Sequence, residues 1–213
     1  MKKSGLTTKR HSPPGRFGGS HQPTPSPNFS SIGSRKAVFL DRDGVINQAR
    51  VRNGKPYPPQ SQDELKIIEG IPESLQTLKE AGYLLIGITN QPDVARGKQR
   101  REIVESIHKA LLSLLPLDEI LTCYHDDADE CFCRKPKPGL ILKAARHYQI
   151  DLSSSFMIGD RWRDIEAGNR AGCSTILIDY HYQESGTCSP PNHRVSDFTE
   201  AVKIILADKG DLF

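Results

Sequence analysis

Apolar residues in this chain fall into two alternating patterns. Short runs at Ala37–Leu40, Leu84–Ile88, Glu119–Thr122, Phe156–Ile158 and Thr175–Ile178 have the length and composition of buried strands. Between them, apolar residues recur every three or four positions, the spacing of one helix face. Ile71, Leu75 and Leu78 form one such stripe, with Pro72 in the first turn and Gly82 at the stop. Ile103, Val104, Ile107, Leu111 and Leu114 form a second, and Leu140, Ile141, Ala144, Ala145 and Tyr148 a third. Asp164–Ala171 and Ala201–Ala207 read as further helices, while Arg50–Asp63, with Pro56, Pro58 and Pro59, reads as a loop. Strands alternating with helices predict an α/β fold, a parallel sheet covered on both faces with right-handed crossovers. No internal repeat is present.

Polar residues with chemical potential stand just past the strand ends. Asp41-Arg42-Asp43-Gly44 follows the first run, Thr89-Asn90-Gln91 the second, and Gly159-Asp160 a later one. In a parallel sheet these groups meet on one rim, where ligands of open α/β sheets bind. One of the paired carboxylates is suited to attack phosphorus and the other to move a proton. Asp-x-Asp-Gly also occurs in turns and calcium loops. A helix–loop–helix calcium site needs a glutamate at its twelfth position, and counting from Asp41 that position is Arg52. The strand-like run before the motif also argues against it.

Charge divides the chain. The formal net charge is +3, but residues 1–34 hold Lys2, Lys3, Lys9, Arg10 and Arg16 and no acid, so the tail carries +5 and residues 35–213 carry −2. The tail is rich in Ser, Pro, Gly and His and poor in apolar residues, and it is expected to be disordered. A solvated tail, an organelle-targeting segment and a basic arm for nucleic acid or anionic lipid are its three readings. Residues 35–213 then form the single folded domain. No apolar run is long enough to span a membrane, and no export signal is seen, so a cytoplasmic location and a monomeric state are expected. Without export, a disulfide framework is disfavoured. Cys123, His125, Cys131 and Cys133 then read as two ligand pairs bracketing a short loop, suited to a tetrahedral zinc ion whose filled shell makes it structural; clustered reduced thiols are the alternative. Cys173 and Cys188 read as bystanders.

Taken in order, Asp41 and Asp43, Thr89-Asn90, Lys135 within Cys133-Arg134-Lys135-Pro136, and Gly159-Asp160-Arg161 with Asp164 resemble the four signatures of the haloacid dehalogenase superfamily of phosphohydrolases. The resemblance covers about residues 36–208. It implies a Rossmann-like sheet and a role for each residue. Asp41 would form an aspartyl-phosphate, and Asp43 would protonate the leaving group and then activate water. Asp41, Asp160 and the backbone carbonyl of Asp43 would hold Mg²⁺. Thr89, the Asn90 backbone and Lys135 would hold the phosphoryl oxygens. Asp164 is expected to cap a helix or support the site rather than ligate the metal directly. Val45 stands where many relatives have threonine, a position with no catalytic group. The acid at position 43 suits cleavage of a phosphoester, so the expectation is a phosphatase rather than a dehalogenase.

The cysteine loop, Thr89-Asn90-Gln91…Ala95-Arg96-Gly97 and Cys133-Arg134-Lys135-Pro136-x-Pro138-Gly139 resemble one branch, the D-glycero-D-manno-heptose 1,7-bisphosphate 7-phosphatases and the related histidinol-phosphate phosphatases. About 47 residues separate Asp41 from Thr89 and about 45 separate Thr89 from Lys135, which leaves no room for a large cap domain. The zinc loop is expected to hold Lys135 in place. Thr89, Asn90, Gln91, Arg134 and Lys135 are the expected substrate contacts. Arg134 suits a second phosphate or a sugar hydroxyl, and Arg50, Arg52 and Lys55 are basic-loop candidates with a solvated loop as their alternative. Pro92-Asp93-Val94 and the short zinc loop depart from the usual heptose pattern. Heptose bisphosphate ranks first, histidinol phosphate second and another small phosphomonoester third. Two rivals from other classes are a zinc-stabilised binding module and a nucleic-acid end phosphatase. The negative charge of the domain makes nucleic acid a poor partner.

Overall fold

The central strand, β1 (Ala37–Leu40), is buried on both faces, and its side chains alternate between two cores. Val38 and Leu40 enter one apolar cluster, Ala37 and Phe39 the other. The computed structural model describes Met1 and residues 35–52, 54–183 and 189–208. The side chains of Arg52 and Lys55 fall outside the described residues, as do Cys188 and the expectations for residues 2–34.

The chain continues through a small hairpin, β2 (Arg50–Arg52) and β3 (Lys55–Tyr57), then α1 (Ile71–Glu80), β4 (Leu84–Asn90), α2 (Pro92–Ala95), α3 (Arg101–Leu114) and β5 (Glu119–Cys123). After the cysteine loop come α4 (Gly139–Tyr148), β6 (Phe156–Gly159), α5 (Trp162–Ala171), β7 (Ser174–Ile178), β8 (His193–Val195) and α6 (Phe198–Ala207). Six strands form one parallel sheet in the order β5-β4-β1-β6-β7-β8. The α/β expectation holds, with helices on both faces. Ile71, Leu75 and Leu78 of α1, Ile107 and Leu111 of α3, and Ala201, Val202 and Ile205 of α6 cover one face. Leu140, Ile141 and Ala144 of α4 and Ala167 of α5 cover the other. From β1 the chain builds outward through β4 and β5, then crosses to β6 on the opposite side of β1. That reversal opens a crevice at the carboxyl ends of β1, β4 and β6.

The structure corrects several expectations. Arg50–Asp63 is not a plain loop, because it holds the antiparallel pair β2–β3, with Arg50 opposite Tyr57. Each of these strands has three residues, too few to show a period. β8 was unseen for the same reason, and α2 is a four-residue turn of helix. Leu114 was placed on the buried stripe of α3 but is 64% exposed; Leu115, just past the helix, is buried instead. The buried face runs through Val104, Ile107, His108 and Leu111, which are three and four apart, and Leu114 lies off it. Among the described residues no cap domain interrupts the sheet. Gln99 ties the hairpin region to the start of α3 by donating from Nε2 to the Gln60 carbonyl at 3.2 Å.

Candidate active site

β1 ends by handing Asp41 to the crevice. The Asp41 amide donates to the Ile158 carbonyl at 3.0 Å, so the residue is still held by the neighbouring strand when its side chain leaves the sheet. The backbone then turns tightly, with Gly44 donating to the Asn47 carbonyl at 2.7 Å and Asn47 to that of Arg42 at 3.0 Å. Gly44 has φ +102°, and a Cβ there would lie 1.9 Å from Asp160 Oδ2, so the close approach of the two loops requires glycine.

The Lys135 ammonium lies at the centre of the site and is almost fully buried. Its Nζ donates to Asp41 Oδ1 at 2.7 Å and to the Ile88 carbonyl at 2.7 Å, and it pairs with Asp164 Oδ1 at 2.6 Å. The Asn90 side chain fixes the backbone of this lysine. Its Nδ2 donates to the Lys135 carbonyl at 3.0 Å, and its Oδ1 accepts from the Lys135 amide at 3.1 Å. The sequence had suggested only the Asn90 backbone. Gln91, also buried, donates from Nε2 to Asp43 Oδ2 and to Thr89 Oγ1, both at 2.9 Å.

Asp43 sits in a dense set of donors. Arg42 Nη2 reaches Oδ2 at 2.8 Å and Oδ1 at 3.0 Å, Arg42 Nε reaches Oδ1 at 3.1 Å, and Asn47 Nδ2 reaches Oδ1 at 3.0 Å. Burial alone would raise the Asp43 pKa, but the Arg42 charge and these hydrogen bonds outweigh it and hold the carboxyl below its usual range. Arg42 Nη1 lies 2.9 Å from Nε2 of the buried His108 on α3. Arg42 and His108 were not foreseen. The signals available were an arginine wedged between two carboxylates and a histidine on the apolar stripe of α3.

Three carboxylates crowd together opposite Lys135. Oxygens of Asp41, Asp160 and Asp164 lie within 4.8 Å of one another. Both Asp160 oxygens are buried without a hydrogen bond of ordinary geometry, although Tyr182 lies close enough for the Asp160 charge and a looser hydrogen bond to raise its pKa. Burial and the charges of Asp41 and Asp164 push the Asp160 pKa well up. Burial also pushes Asp41 up to about 6, with Lys135 opposing and Asp164 and Asp43 adding to it. An orphaned buried carboxylate is costly unless a cation meets it. The donor set is all oxygen, which suits Mg²⁺. Asp164 does cap its helix as expected, since its Oδ2 accepts from the Arg161 amide at 3.1 Å. Its other oxygen holds Lys135 and stands within the carboxylate cluster, closer to the centre than a mere cap.

Cys123, His125, Cys131 and Cys133 converge with single donor atoms within 4.8 Å of one another. Cys123 Sγ lies 3.6 Å from Cys131 Sγ, 3.3 Å from Cys133 Sγ and 3.7 Å from His125 Nδ1, and His125 Nδ1 lies 3.2 Å from Cys133 Sγ. Zinc–ligand bonds of about 2.0–2.3 Å at tetrahedral angles give ligand separations of about 3.3–3.8 Å, so the set is compatible with zinc. A Cβ at Gly139 would lie 2.3 Å from the Phe132 carbonyl, so the loop packs directly on the start of α4. Arg134 and Lys135 follow the last cysteine.

Asp41, Asp43, Lys135 and Asp164 line a cleft of about 260 Å³, whose outer part includes Tyr57, Pro58, Arg96, Asp127, Arg134 and Arg163. Three guanidinium groups meet at Asp127. Arg134 Nε lies 2.8 Å from Oδ1, Arg163 Nη1 lies 3.3 Å from it, and Arg96 Nη2 lies 3.7 Å from Oδ2. Arg50 instead pairs with Glu64 at 2.6 Å and is not among the cleft residues. Thr89, Asn90, Gln91, Arg134 and Lys135 all line the cleft, as do Asp41 and Asp43.

A buried carboxylate at a strand end, a second carboxylate two residues on, a buried lysine and a carboxylate cluster at the switch point of a parallel sheet fit a haloacid-dehalogenase-like phosphatase. The HAD-hydrolase-like family model matches residues 132–201. The chain is 44% identical to D-glycero-beta-D-manno-heptose-1,7-bisphosphate 7-phosphatase of Helicobacter pylori strain J99, over 69% of this chain and 84% of that protein. It is 38% identical to the enzyme of the same name from Pasteurella multocida, over 68% and 82%. Among solved structures, D,D-heptose 1.7-bisphosphate phosphatase from B. bronchiseptica, complexed with magnesium and phosphate, superposes with a TM-score of 0.70 at 30% identity, covering 81% of this chain and 99% of that one. The chain belongs to the D-glycero-β-D-manno-heptose-1,7-bisphosphate 7-phosphatase family, and it is a phosphatase. Among the described residues no helix is long and apolar enough to cross a membrane.

Proposed function

We propose that this phosphatase removes the 7-phosphate of D-glycero-D-manno-heptose 1,7-bisphosphate and that Asp41 is its nucleophile. The observation that carries the mechanism is the placement of Asp41, buried at the switch point and bonded to Lys135, with the buried Asp160 carboxylate beside it. Asp41 attacks phosphorus, forming an O–P bond as the bond to the sugar oxygen breaks. Asp43, carrying a proton, passes it to that oxygen. A water then gives a proton to Asp43 while its oxygen bonds to phosphorus and the Asp41–phosphorus bond breaks, releasing phosphate. Asp43 is ionised in the free protein, the form needed for the second half. Arrival of the phosphate's negative charge raises its pKa toward the form needed for the first. Thr89 and Lys135 hold the transferring phosphoryl oxygens, since such transfer depends on positioning and charge. Asp41, Asp160 and the Asp43 backbone carbonyl are the residues that would hold Mg²⁺, which, when bound, neutralises charge between nucleophile and phosphate. Cys123, His125, Cys131 and Cys133 are the residues that would hold a structural zinc.

Substrate choice is supported by the names of the relatives and by the rim. Arg134, Arg163 and Arg96 offer cationic forks at the mouth of the cleft, suited to a second anionic group. Asp127 engages Arg134 and Arg163 in this structure and Asp126 engages Arg96, so a second phosphate must displace these carboxylates. The test is phosphate release with Mg²⁺ from both heptose 1,7-bisphosphate anomers, histidinol phosphate and simple sugar phosphates. A preference in kcat/KM for heptose bisphosphate is expected, with no turnover in Asp41→Asn. A flat profile, or a preference for histidinol phosphate, overturns the substrate.

A further inference from the structure

Among the described residues, Arg42 is the largest of the fully buried side chains. A buried guanidinium loses several kcal/mol of hydration, and an apolar residue of similar volume is often as stable, so its presence calls for a reason. The reason lies in how its three nitrogens are shared. Nε and Nη2 grip the Asp43 carboxylate, and Nη1 points to His108 Nε2 at 2.9 Å. Arginine only donates, so Nε2 must be the acceptor and the imidazole proton must sit on Nδ1. Burial, and then the Arg42 charge, hold the His108 pKa down to about 3, which keeps the ring in that neutral accepting form. His108 belongs to the middle of α3, anchored by Val104, Ile107 and Leu111 in the core. Arg42 therefore has a support on a separate helix, beyond the hydrogen bonds of its own turn. The carboxylate is also braced by Asn47 and Gln91, both of which are buried.

We propose that His108 and Arg42 are positioning residues that hold Asp43 in line for proton transfer to the leaving oxygen. This rests on the phosphatase reading above. His108 touches neither substrate nor metal and acts through Arg42 alone. Loss of the acceptor lets the guanidinium swing and carries Asp43 away from the leaving oxygen. The penalty then depends on how much the leaving group needs a proton. A sugar alkoxide needs one, and 4-nitrophenolate leaves without.

The experiment compares kcat/KM for heptose 1,7-bisphosphate and for 4-nitrophenyl phosphate in wild type, His108→Leu, His108→Gln and Arg42→Lys. Both values come from the same preparation, so their ratio is independent of the fraction folded. Full general acid catalysis contributes ~10²–10⁴-fold, and partial misplacement should forfeit at least about tenfold of it. His108→Leu and Arg42→Lys are expected to lower the sugar-phosphate value by that amount and the aryl-phosphate value by no more than about threefold. His108→Gln places an amide oxygen near the Nε2 position and is expected to restore the ratio. An equal loss on both substrates would mean a purely structural role and overturn the inference, as would a His108→Leu enzyme with unchanged values. If wild type cleaves neither substrate, or Asp41→Asn is as active as wild type, the phosphatase reading itself fails first and this inference with it.

Discussion

Asn90 makes two hydrogen bonds to the Lys135 backbone across 45 residues of sequence. Asn90→Ala removes both, and at about 1 kcal/mol each the protein should lose about 1–2 kcal/mol in urea unfolding, with a lower kcat/KM. His108 supplies a prediction with a definite sign. Its pKa is 6.5 when free and about 3 when folded. As pH falls below 6.5 the unfolded chain binds a proton that the folded one refuses, so stability drops, by roughly 3 kcal/mol at pH 4. Asp41, raised to about 6, acts in the opposite direction and gains stability over the same range without metal. The comparison of wild type with His108→Gln under metal-free conditions isolates the histidine, and the gap between the two stability curves should shift against wild type from pH 7 to pH 4. Residues whose meaning lies in a local motif, such as Asp41, Asp43 and Asp160, were legible in the sequence. His108 was not, because its partner lies 66 residues away and its neighbours explain it equally well as part of a helix stripe.

At the scale of elements, the long apolar runs and helix stripes were readable, and the three-residue strands were not. Both β2 and β3 matter to the site, because the hairpin brings Tyr57 to the cleft. The cysteine loop joins β5 to α4 and delivers Lys135. If its four ligands hold zinc, Cys131→Ser should lower zinc content and reduce Tm by roughly 10 °C together, since metal binding is folding free energy in such loops. Calorimetry with metal analysis checks this, and a zinc-replete variant with unchanged Tm contradicts it. A parallel drop in kcat is expected, because Arg134 and Lys135 adjoin the last ligand.

Across the whole molecule, the charge imbalance and the switch point matter more than any single contact. Among the described residues, those that line the cleft lie between 41 and 164. The expected substrate contacts all lie in the folded domain, so removing residues 1–34 should leave kcat/KM on sugar phosphates unchanged. A nucleic-acid end phosphatase would instead lose activity on that deletion and show steep salt dependence. The reversal of strand order around β1 explains why four separate sequence signatures meet. Their order along the chain was visible in the sequence. Their convergence needed only the parallel sheet, whereas the rim around Asp127 needed the side-chain packing of three segments.

The two candidate metal sites differ in what guards them before any ion arrives. Lys135 already bridges Asp41 and Asp164 with its own positive charge. It serves as a resident placeholder for two of the three carboxylates and leaves Asp160 as the one that awaits an ion. The cysteine loop has no such substitute among the described residues. If the cysteine loop takes zinc as proposed, that ion belongs to maturation, and the ion at the carboxylates to the working cycle.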